Sequence, residues 1–375
     1  MSNMKELVDI IIEVDFNDLN SKIFPKNELF GLICWKDDIK YEFLINLKSH
    51  SDLMLIIGSG AVGPRKHIRS RPFFNRWSWD FEDSVIFYND PTLYINNEIL
   101  CGWGIGTKEN WYLLEISKIL KKIFNQLNIY SEELLFYGSS AGGFMSLMLS
   151  IMFEGSTALV DIPQFYVNNW YEFWKPIMKY GFDEKEDAEF ISNWGYRLKV
   201  SELIKKRNYV PNAFILMDCT HNQDFNFQLM PFINELNLLP FNCSKNTINF
   251  FIRGKNIGHE ALSQKDFNYY LKIIKNIILQ KNEMMLSKIN NDYDIIFDSG
   301  LFDEEYYRNN YLIDKNVNCI KHYLKIGVYK YFNPSPNFNT KFYLDEYLDV
   351  RKSGLNPFVH YIIWGIGEGR KSKFI

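Results

Sequence analysis

Short apolar runs alternate with amphipathic segments over the first 285 residues of the chain, and this alternation restricts the fold most strongly. The apolar runs have the length of single strands and little polar alternation, which is typical of strands buried on both faces of a parallel sheet. The segments between them carry apolar residues at helical spacing, so the pattern predicts an α/β fold with a doubly wound, mainly parallel sheet. The predicted strands are residues 31–35, 41–47, 53–58, 84–88, 133–138, 157–161, 213–218 and 247–253, and the predicted helices are residues 108–127, 141–153, 226–238 and 263–280.

Residues 164–208 interrupt this alternation. They are rich in Trp and Tyr and fit helices better than strands. We expect them to form a helical insertion over the carboxyl edge of the sheet, within a domain that extends over residues 1–285.

The C-terminal region, residues 286–375, contains an internal repeat. Residues 302–311 match residues 338–347 at an offset of 36, and residues 321–327 match residues 359–365 at an offset of 38. Each copy has the pattern of two short amphipathic helices around a turn, and one such unit hardly buries its apolar face alone. The repeat therefore predicts a small helical domain whose copies pack on each other or on the main domain.

The composition excludes several classes of protein. With 42 Lys and Arg against 45 Asp and Glu, the net charge is −3 and provides no overall attraction to nucleic acid. The acidic N-terminus does not resemble a signal peptide, and no apolar run approaches the ~20 residues of a membrane span. Five scattered cysteines without a CxxC pair favour a reducing compartment. We predict a cytoplasmic protein, either free or attached peripherally to the inner membrane.

The sequence Gly138-Ser-Ser-Ala-Gly142 directly follows a predicted strand and precedes a predicted helix. A nucleophile elbow has this Gly-x-Ser-x-Gly spacing, because its serine sits in a strained turn that only small neighbours tolerate. The context of strand, turn and helix favours Ser140 as a nucleophile over a plain tight turn.

A nucleophilic serine needs a base, and the chain has six histidines. His259 follows the last predicted strand through a short loop, which is where the order serine, acid, histidine places the base in this architecture. His322 and His360 occupy equivalent positions in the repeat, so we interpret them as structural residues.

The acid is expected on the loop after the preceding strand, where Asp218 ends the strand and Asp224 lies six residues later. An acid that reaches the far nitrogen of the histidine usually lies a few residues beyond the strand. This favours Asp224, with Asp218 as the alternative. We interpret His221, between the two, as a pocket or substrate-binding residue.

An oxyanion intermediate needs two backbone N–H donors. Ala141, directly after the serine, is one candidate, and Gly60 or Ala61 on an earlier loop is the other. A basic cluster follows that loop and can hold a carboxylate or phosphate, but a solvated loop with Arg76 in an internal ion pair explains it equally well. The cluster consists of Arg65, Lys66, His67, Arg69, Arg71 and Arg76.

Aromatic residues make up 17% of the chain. The codon bias of an AT-rich genome and core filling explain most of the Phe and Tyr residues, but not the tryptophans. Tryptophan rings stack on sugars. We therefore expect Trp77 and Trp79 beside the oxyanion loop, and Trp170, Trp174 and Trp194 in the insertion, to contact a carbohydrate.

Other chemistries lack their motifs in this sequence. It contains no Walker A lysine motif, no GxGxxG after the first strand, no HExxH and no clustered His, Cys and carboxylate ligands. The sequence therefore predicts neither a metal ion nor a bound cofactor.

These residues resemble the α/β-hydrolase superfamily over about residues 25–285. Within it, Ser59-Gly-Ala61, Arg76-Trp-Ser-Trp79, Asp90-Pro-Thr-Leu93 and Tyr137-Gly-Ser-Ser-Ala-Gly-Gly143 look like a group of bacterial proteins found with cell-surface polysaccharide and glycosyltransferase genes. That group is distantly similar to the accessory secretion component that O-acetylates serine-rich glycoproteins.

The C-terminal repeats resemble units appended to many bacterial glycosyltransferases and capsule enzymes. The first copy departs from their pattern, with Ile313-Asp314 in place of Asp-Val and Tyr331-Phe332 in place of Gly-Arg. The second copy matches it closely at Tyr347, Asp349, Val350, Gly354, Asn356, Pro357, His360, Tyr361, Gly365, Glu368, Gly369 and Arg370.

The resemblance implies a serine esterase or O-acyltransferase, with acetyl as the expected acyl group, that acts on a bacterial cell-surface or capsular carbohydrate. A transferase would use a donor such as acetyl-CoA. The repeats would contact a glycosyltransferase or a polysaccharide-assembly partner. The alternative is a catalytically idle α/β-hydrolase scaffold that binds a glycan or a glycosyltransferase.

Overall fold

The computed structural model describes residues 3–62, 74, 76–182, 188–241, 246–253, 258–313 and 317–374. The chain divides into two compact units, Met1–Asn276 and Ile277–Ile375. The division lies inside one continuous helix, Gln264–Ser299, whereas the sequence pattern placed a boundary between residues 285 and 286. Because helical periodicity continues through the division, no turn or linker signal marks it in the sequence.

In the described part of the first unit, one sheet of nine strands forms the centre. Its strands are β1 (Ile11–Asp15), β2 (Leu29–Lys36), β3 (Ile39–Asn46), β4 (Met54–Gly58), β5 (Ser84–Tyr88), β6 (Leu134–Ser139), β7 (Thr157–Asp161), β8 (Asn212–Met217) and β9 (Ile248–Ile252). Their order in the sheet is β1-β2-β3-β5-β4-β6-β7-β8-β9. β3 is antiparallel to β2 and to β5, and all the other neighbouring pairs are parallel. The sheet is therefore mainly parallel, as the alternation predicts.

Eight of the nine strands lie where the sequence predicts strands, and β1 is the exception. β1 has only five residues, Ile-Ile-Glu-Val-Asp, and pairs with β2 alone at the edge of the sheet. Its last four residues alternate between apolar and polar, but four residues are the shortest alternation that identifies a strand, so the signal is weak.

Helices surround the sheet of the first unit. They are α1 (Tyr112–Leu127), α2 (Ala141–Met152), α3 (Tyr171–Ile177), α4 (Ala188–Leu198), α5 (Val200–Arg207), α6 (Asn222–Asp224), α7 (Met230–Asn237) and α8 (Gln264–Ser299), with π-helical turns at Met178–Phe182 and Phe225–Leu229 and 3₁₀ turns at Asn3–Glu6, Ser21–Ile23, Pro91–Tyr94, Ser131–Glu133 and Val167–Asn169. Among the described helices, none combines the length and the apolar character needed to cross a bilayer.

Two neighbouring residues of β6 show that helices cover both faces of the sheet. The ring of Phe136 lies 5.4 Å from that of Phe153, which caps α2, and the ring of Tyr137 lies 4.4 Å from that of Phe267 in α8. Successive side chains of a strand point to opposite faces. The helices therefore form a layer on each side, and the whole arrangement is the predicted α/β-hydrolase fold.

Residues 164–208, between β7 and β8, are mainly helical where described, as the sequence predicts, and contain one β-bridge between Tyr166 and Lys199. They comprise α3, the turn Met178–Phe182, α4 and α5. Trp174 lies inside this insertion, with its ring 6.3 Å from that of Phe182 and 6.0 Å from that of Phe190. Aromatic packing therefore forms the core of the insertion itself.

The second unit is helical. After the end of α8 it contains α9 (Glu304–Tyr311), α10 (Cys319–His322), α11 (Thr340–Glu346), α12 (Leu348–Ser353) and α13 (Pro357–His360), with π-helical turns at Tyr323–Gly327 and Tyr361–Gly365 and a 3₁₀ turn at Val328–Lys330. The two copies of the repeat pack on each other: the buried Tyr323 ring of the first lies 6.1 Å from the Phe358 ring of the second.

The two copies share a tyrosine–histidine contact. The Tyr307 hydroxyl lies 2.9 Å from His322 Nδ1 in the first copy, and the Tyr343 hydroxyl lies 3.1 Å from His360 Nδ1 in the second. A glycine faces each hydroxyl, where an added Cβ would come within 2.1 Å and 2.3 Å of it. Both copies thus need histidine, tyrosine and glycine at equivalent positions to close their cores.

The copies differ beside a second tyrosine. In the first copy, the Tyr311 ring stacks on the Phe332 ring at a centroid distance of 3.9 Å. In the second, the Arg370 guanidinium lies 4.8 Å from the Tyr347 ring centroid and forms an ion pair with Asp349 at 2.8 Å. Phenylalanine and arginine therefore fill the same place in the repeat.

Protonation of the two repeat histidines should destabilise the second unit. Burial is the main cause that lowers the pKa of His322 and of His360 below the ordinary 6.5, and a nearby cation, Lys330 or Arg370, lowers each further. The unfolded chain then binds protons that the folded unit does not. The free energy of unfolding should therefore fall as the pH drops below about 6.5. Above that pH, these two histidines should have no effect on it.

The measurement is thermal unfolding by near-ultraviolet circular dichroism at a series of pH values between about 7.5 and 5.5. The control is the double variant His322→Gln, His360→Gln, which keeps polar groups beside the tyrosines but removes the titrating rings. A pH dependence as steep in the double variant as in the wild type would contradict the prediction.

Candidate active site

Ser140 lies in the turn between β6 and α2, with φ of 54° and ψ of −120°. A residue other than glycine rarely adopts a positive φ, and such a conformation costs about 1–3 kcal/mol. Hydrogen bonds hold the turn, since the Ser140 N–H donates to the Asp161 carbonyl at 3.2 Å and the Gln164 N–H donates to the Ser140 carbonyl at 3.2 Å. The structure thus places Ser140 at the N-terminus of a helix, where the motif predicts it.

Glycines on both sides of Ser140 allow this turn. An added Cβ at Gly138 would lie 2.3 Å from the Gly142 backbone, a distance that no packing tolerates. At Gly142, an added Cβ would lie 3.1 Å from the carbonyl oxygens of Gly58 and Ser59. Direct backbone contacts therefore require glycine at residue 138 and favour it at residue 142.

Ser140, His259 and Asp224 lie in a continuous chain of hydrogen-bond contacts. His259 Nε2 lies 2.8 Å from Ser140 Oγ, and His259 Nδ1 lies 2.7 Å from Asp224 Oδ2. The Asp224 side chain is buried, whereas that of His259 is 28% exposed. In this order the imidazole can accept the serine proton while the carboxylate orients the ring.

Asp218, the alternative acid, has different partners. Its Oδ1 accepts hydrogen bonds from the backbone N–H and the hydroxyl of Thr220, at 2.8 Å and 2.6 Å, and its Oδ2 accepts one from the Gly258 N–H at 2.9 Å. Asp218 therefore holds the backbone next to His259, while Asp224 contacts the ring itself.

A third carboxylate, Asp161 at the end of β7, holds the other side of the same loop. Its Oδ2 accepts a hydrogen bond from the Leu262 N–H at 2.7 Å. The Ser139 hydroxyl donates to its Oδ1 and accepts from the Arg76 guanidinium. Burial raises the pKa of Asp161 above its usual value, and the positive charge of Arg76 opposes that rise. Arg76 is thus engaged inside the protein, one of the two interpretations that its sequence allows.

The predicted oxyanion donors lie on two backbone segments that touch each other. Ala141 begins α2, and the N–H groups of a first helical turn have no acceptor within the helix. The carbonyl oxygens of residues 58 and 59 lie against Gly142, and Gly60 and Ala61 follow directly along the chain. Gly60 is half-buried and Ala61 is exposed. Their role as donors stays a prediction.

Two predicted sugar-binding tryptophans of the insertion differ in position. The Trp170 ring lies 5.6 Å from the His259 ring, and its buried indole nitrogen has no hydrogen-bond acceptor among the described residues. Trp174, however, is only 1% exposed and packs in the core of the insertion. Its prediction as a carbohydrate contact is corrected here, because a ring enclosed by protein cannot stack on a ligand.

Trp77 and Trp79 lie on the α8 side of the sheet. The Trp79 ring packs 5.5 Å from that of Phe267 and 5.3 Å from the Arg76 guanidinium. Trp77 is 38% exposed, and both tryptophans line a cavity of about 70 Å³ beside β5. Their contact with a sugar stays a prediction. The other members of the basic cluster, Arg65, Lys66, His67, Arg69 and Arg71, lie outside the described residues.

His221 contacts the acid rather than the serine. Its Nδ1 lies 2.9 Å from Asp224 Oδ2, and its ring lies 5.9 Å from that of His259. His221, Asp224 and His259 thereby offer three ligand atoms within 4.8 Å of one another. This corrects the expectation that the chain has no clustered metal ligands. In the sequence, the only local sign of this cluster is the spacing of His221 and Asp224, which lie one helical turn apart.

The structure combines an α/β-hydrolase fold with a serine, a histidine and an aspartate in hydrogen-bond contact. No family model and no curated protein matches the sequence. Among solved structures, the chain is similar to the capsule O-acetyltransferase of Neisseria meningitidis serogroup A, with 18% identity, 64% of this chain and 96% of that chain covered, and a TM-score of 0.47.

Two further solved structures are similar at lower identity. The Glycosylation Associate Protein complex from Streptococcus agalactiae has 16% identity, with 66% of this chain and 46% of that chain covered and a TM-score of 0.41. An S-formylglutathione hydrolase from Agrobacterium tumefaciens has 12% identity, with 67% of this chain and 92% of that chain covered and a TM-score of 0.42.

Alanine at Gly142 should reduce turnover of an activated ester without unfolding the protein. The added Cβ meets two backbone carbonyls at 3.1 Å, so the loop that leads to Gly60 and Ala61 must move by a few tenths of an ångström. Because oxyanion donors act over short distances, we expect kcat/KM for p-nitrophenyl acetate to fall by about 10- to 100-fold.

The matched control is Gly195→Ala in α4, where the nearest atom to an added Cβ is 3.6 Å away. This variant should keep its turnover and gain about 0.5–1 kcal/mol of stability, because alanine favours a helix over glycine. Equal turnover in the two alanine variants would argue against the contact between the loop and the elbow as a determinant of activity.

Proposed function

We propose that this protein is a serine-nucleophile acyl-ester hydrolase or O-acyltransferase that acts on a bacterial cell-surface carbohydrate, with acetyl as the acyl group. The observation that carries the proposal is the chain of contacts from Ser140 Oγ through His259 to Asp224, with distances of 2.8 Å and 2.7 Å. This arrangement is the one that activates a serine hydroxyl for attack on an acyl carbonyl.

In the first half of the reaction, Ser140 Oγ attacks the carbonyl carbon of the acyl donor, and His259 Nε2 takes the hydroxyl proton. Asp224 stabilises the imidazolium that forms. The negative oxygen of the tetrahedral intermediate is bound by the N–H of Ala141 and one from Gly60 or Ala61. His259 then returns the proton to the leaving alcohol or thiol, and the acyl group stays on Ser140.

In the second half, His259 deprotonates an acceptor hydroxyl, which attacks the acyl-enzyme and releases Ser140. A water molecule gives ester hydrolysis, and a sugar hydroxyl gives O-acyl transfer. Acetyl-CoA, a thioester, fits the first half as a donor because its thiolate is a good leaving group. The reaction therefore needs no chemistry beyond these side chains and backbone donors.

Trp170 supports a hydroxyl-bearing acceptor. Its ring lies 5.6 Å from the base, and its buried indole N–H lacks an acceptor among the described residues. Trp170 is half-buried, so the exposed part of its ring can stack on a sugar.

The backbone strain at Ser140 disfavours the alternative of an idle scaffold. A binding scaffold has no use for a serine held at a positive φ and aligned with a histidine and a buried acid. Strain of this kind persists where the surrounding structure enforces it, and it is concentrated at functional sites.

Removal of the nucleophile tests the proposal. Ser140→Ala should lower kcat for p-nitrophenyl acetate by at least about 10³-fold, because no hydroxyl remains to form the acyl-enzyme. The matched control is Ser150→Ala, which deletes a buried hydroxyl of the same helix that donates to the Leu147 carbonyl at 2.8 Å. That variant should keep its turnover, and equal rates in the two variants would rule out Ser140 as the nucleophile.

The same pair of variants separates transfer from hydrolysis. The protein is incubated with acetyl-CoA and a capsular oligosaccharide, and the O-acetylated sugar and free acetate are quantified by mass spectrometry. In this incubation, a transferase forms O-acetylated sugar in a Ser140-dependent manner. In a second incubation, with an oligosaccharide that is already O-acetylated, an esterase releases acetate.

The two aspartates should differ in effect when changed to asparagine. Asp224→Asn removes the carboxylate that orients His259 and should lower kcat by about 10³- to 10⁴-fold. Asp218→Asn weakens hydrogen bonds to Thr220 and Gly258 but leaves the ring contact, so a loss of about tenfold is expected. Steady-state kinetics on p-nitrophenyl acetate measure both, and a larger loss in Asp218→Asn would reverse the assignment of the acid.

A further inference from the structure

We propose that His221, Asp224 and His259 form a binding site for Zn²⁺, and that the bound ion inhibits the protein by occupying the acid and the base. The inhibition rests on the proposed function. The binding of the ion does not, because it depends only on the ligand atoms.

The ligand atoms converge on one buried carboxylate. His221 Nδ1 and His259 Nδ1 lie 2.9 Å and 2.7 Å from the same oxygen, Asp224 Oδ2. All three ligand atoms lie within 4.8 Å of one another. Zinc bonds of about 2.0–2.2 Å in tetrahedral geometry place ligand atoms a little over 3 Å apart, so small rotations of the two rings suffice.

Two polar atoms at this place lack the hydrogen bonds that buried groups normally have. His221 Nδ1 is buried but makes no aligned hydrogen bond among the described residues, despite its short distance to the carboxylate. Asp224 Oδ1 is also buried without a partner there. An unpartnered imidazole nitrogen and an unpartnered carboxylate oxygen at the same place are a donor set for a cation.

The chemistry of the donors favours zinc over Mg²⁺ and Ca²⁺. Two imidazoles and one carboxylate are typical zinc ligands, whereas Mg²⁺ and Ca²⁺ prefer oxygen ligands alone. The side chains of His221 and His259 are 33% and 28% exposed, so rotation of these two rings opens the buried ligand atoms to an ion from solvent, and a water molecule can complete the tetrahedron.

Zinc binding and the triad exclude each other at His259. In the triad, His259 Nδ1 carries the proton that is donated to Asp224, whereas a neutral imidazole that coordinates an ion through Nδ1 carries its proton on Nε2. With the ion on Nδ1 and on the carboxylate, His259 Nε2 is protonated and can no longer accept the Ser140 proton. Zinc therefore acts as a reversible inhibitor rather than as a cofactor.

Spectroscopy with Co²⁺ tests the binding independently of activity. Co²⁺ replaces Zn²⁺ in tetrahedral sites and then absorbs strongly in visible light. We expect this absorption in the wild type and in Ser140→Ala, and its loss in His221→Ala and His221→Gln, with zinc affinity by calorimetry lowered at least about 100-fold. The control is His50→Ala, which removes an exposed histidine outside the site and should leave binding unchanged.

Inhibition is measured as the Zn²⁺ concentration that halves p-nitrophenyl acetate turnover, with each variant normalised to its own metal-free rate. That concentration should rise by about 100-fold in the His221 variants, and EDTA should restore the wild-type rate. Circular dichroism verifies that the variants are folded. Equal zinc affinity in folded His221 variants and the wild type would overturn the site. Co²⁺ binding to a protein that shows neither esterase activity nor acyl transfer would refute the proposed function but not the site.

Discussion

Two buried carboxylates hold the loop that carries His259, and the rest of the candidate site depends on that loop. Asp218 accepts the Gly258 N–H on one side of the histidine, and Asp161 accepts the Leu262 N–H on the other. Hydrogen bonds between a charged acceptor and backbone donors are roughly twice as strong as neutral ones, and away from water they are stronger still. The imidazole is thereby placed between its two partners by groups that never touch it.

The same carboxylates connect the loop to the sheet. Asp161 ends β7 and Asp218 follows β8, so two adjacent parallel strands deliver both acceptors to one edge. Ser140 follows β6, the next strand along. The positive φ at this serine is sustained because hydrogen bonds and glycine contacts hold it from both sides. The order of the strands in the sheet thus aligns three side chains that are distant in sequence.

Much of this arrangement could be predicted from the sequence because it follows local rules. Buried parallel strands are continuous apolar runs, and the elbow at Ser140 has a spacing that few turns share. Chain order then suggested His259 and Asp224, and the structure brings these side chains into contact. β1 escaped prediction because its alternation extends over only four residues at a sheet edge.

What the sequence could not predict depends on packing between distant segments. Nothing local distinguishes Trp174, enclosed in the insertion, from Trp170, which lies beside His259. Likewise, the engagement of Arg76 with Ser139 joins two segments far apart in the chain. The approach of His221 to His259 arises because both rings meet at one buried carboxylate. Such contacts are properties of the assembled fold.

The two copies of the C-terminal repeat pack against their second tyrosine through different interactions. The Tyr311–Phe332 stack of the first copy is apolar, whereas in the second copy Arg370 lies over Tyr347 and pairs with Asp349 at an exposed position. Dissolved salt screens exposed charges over about 10 Å at 0.1 M but leaves ring stacking largely untouched. A change in ionic strength therefore affects the two copies unequally. The copy that contains the arginine is the one whose stability depends on the salt concentration.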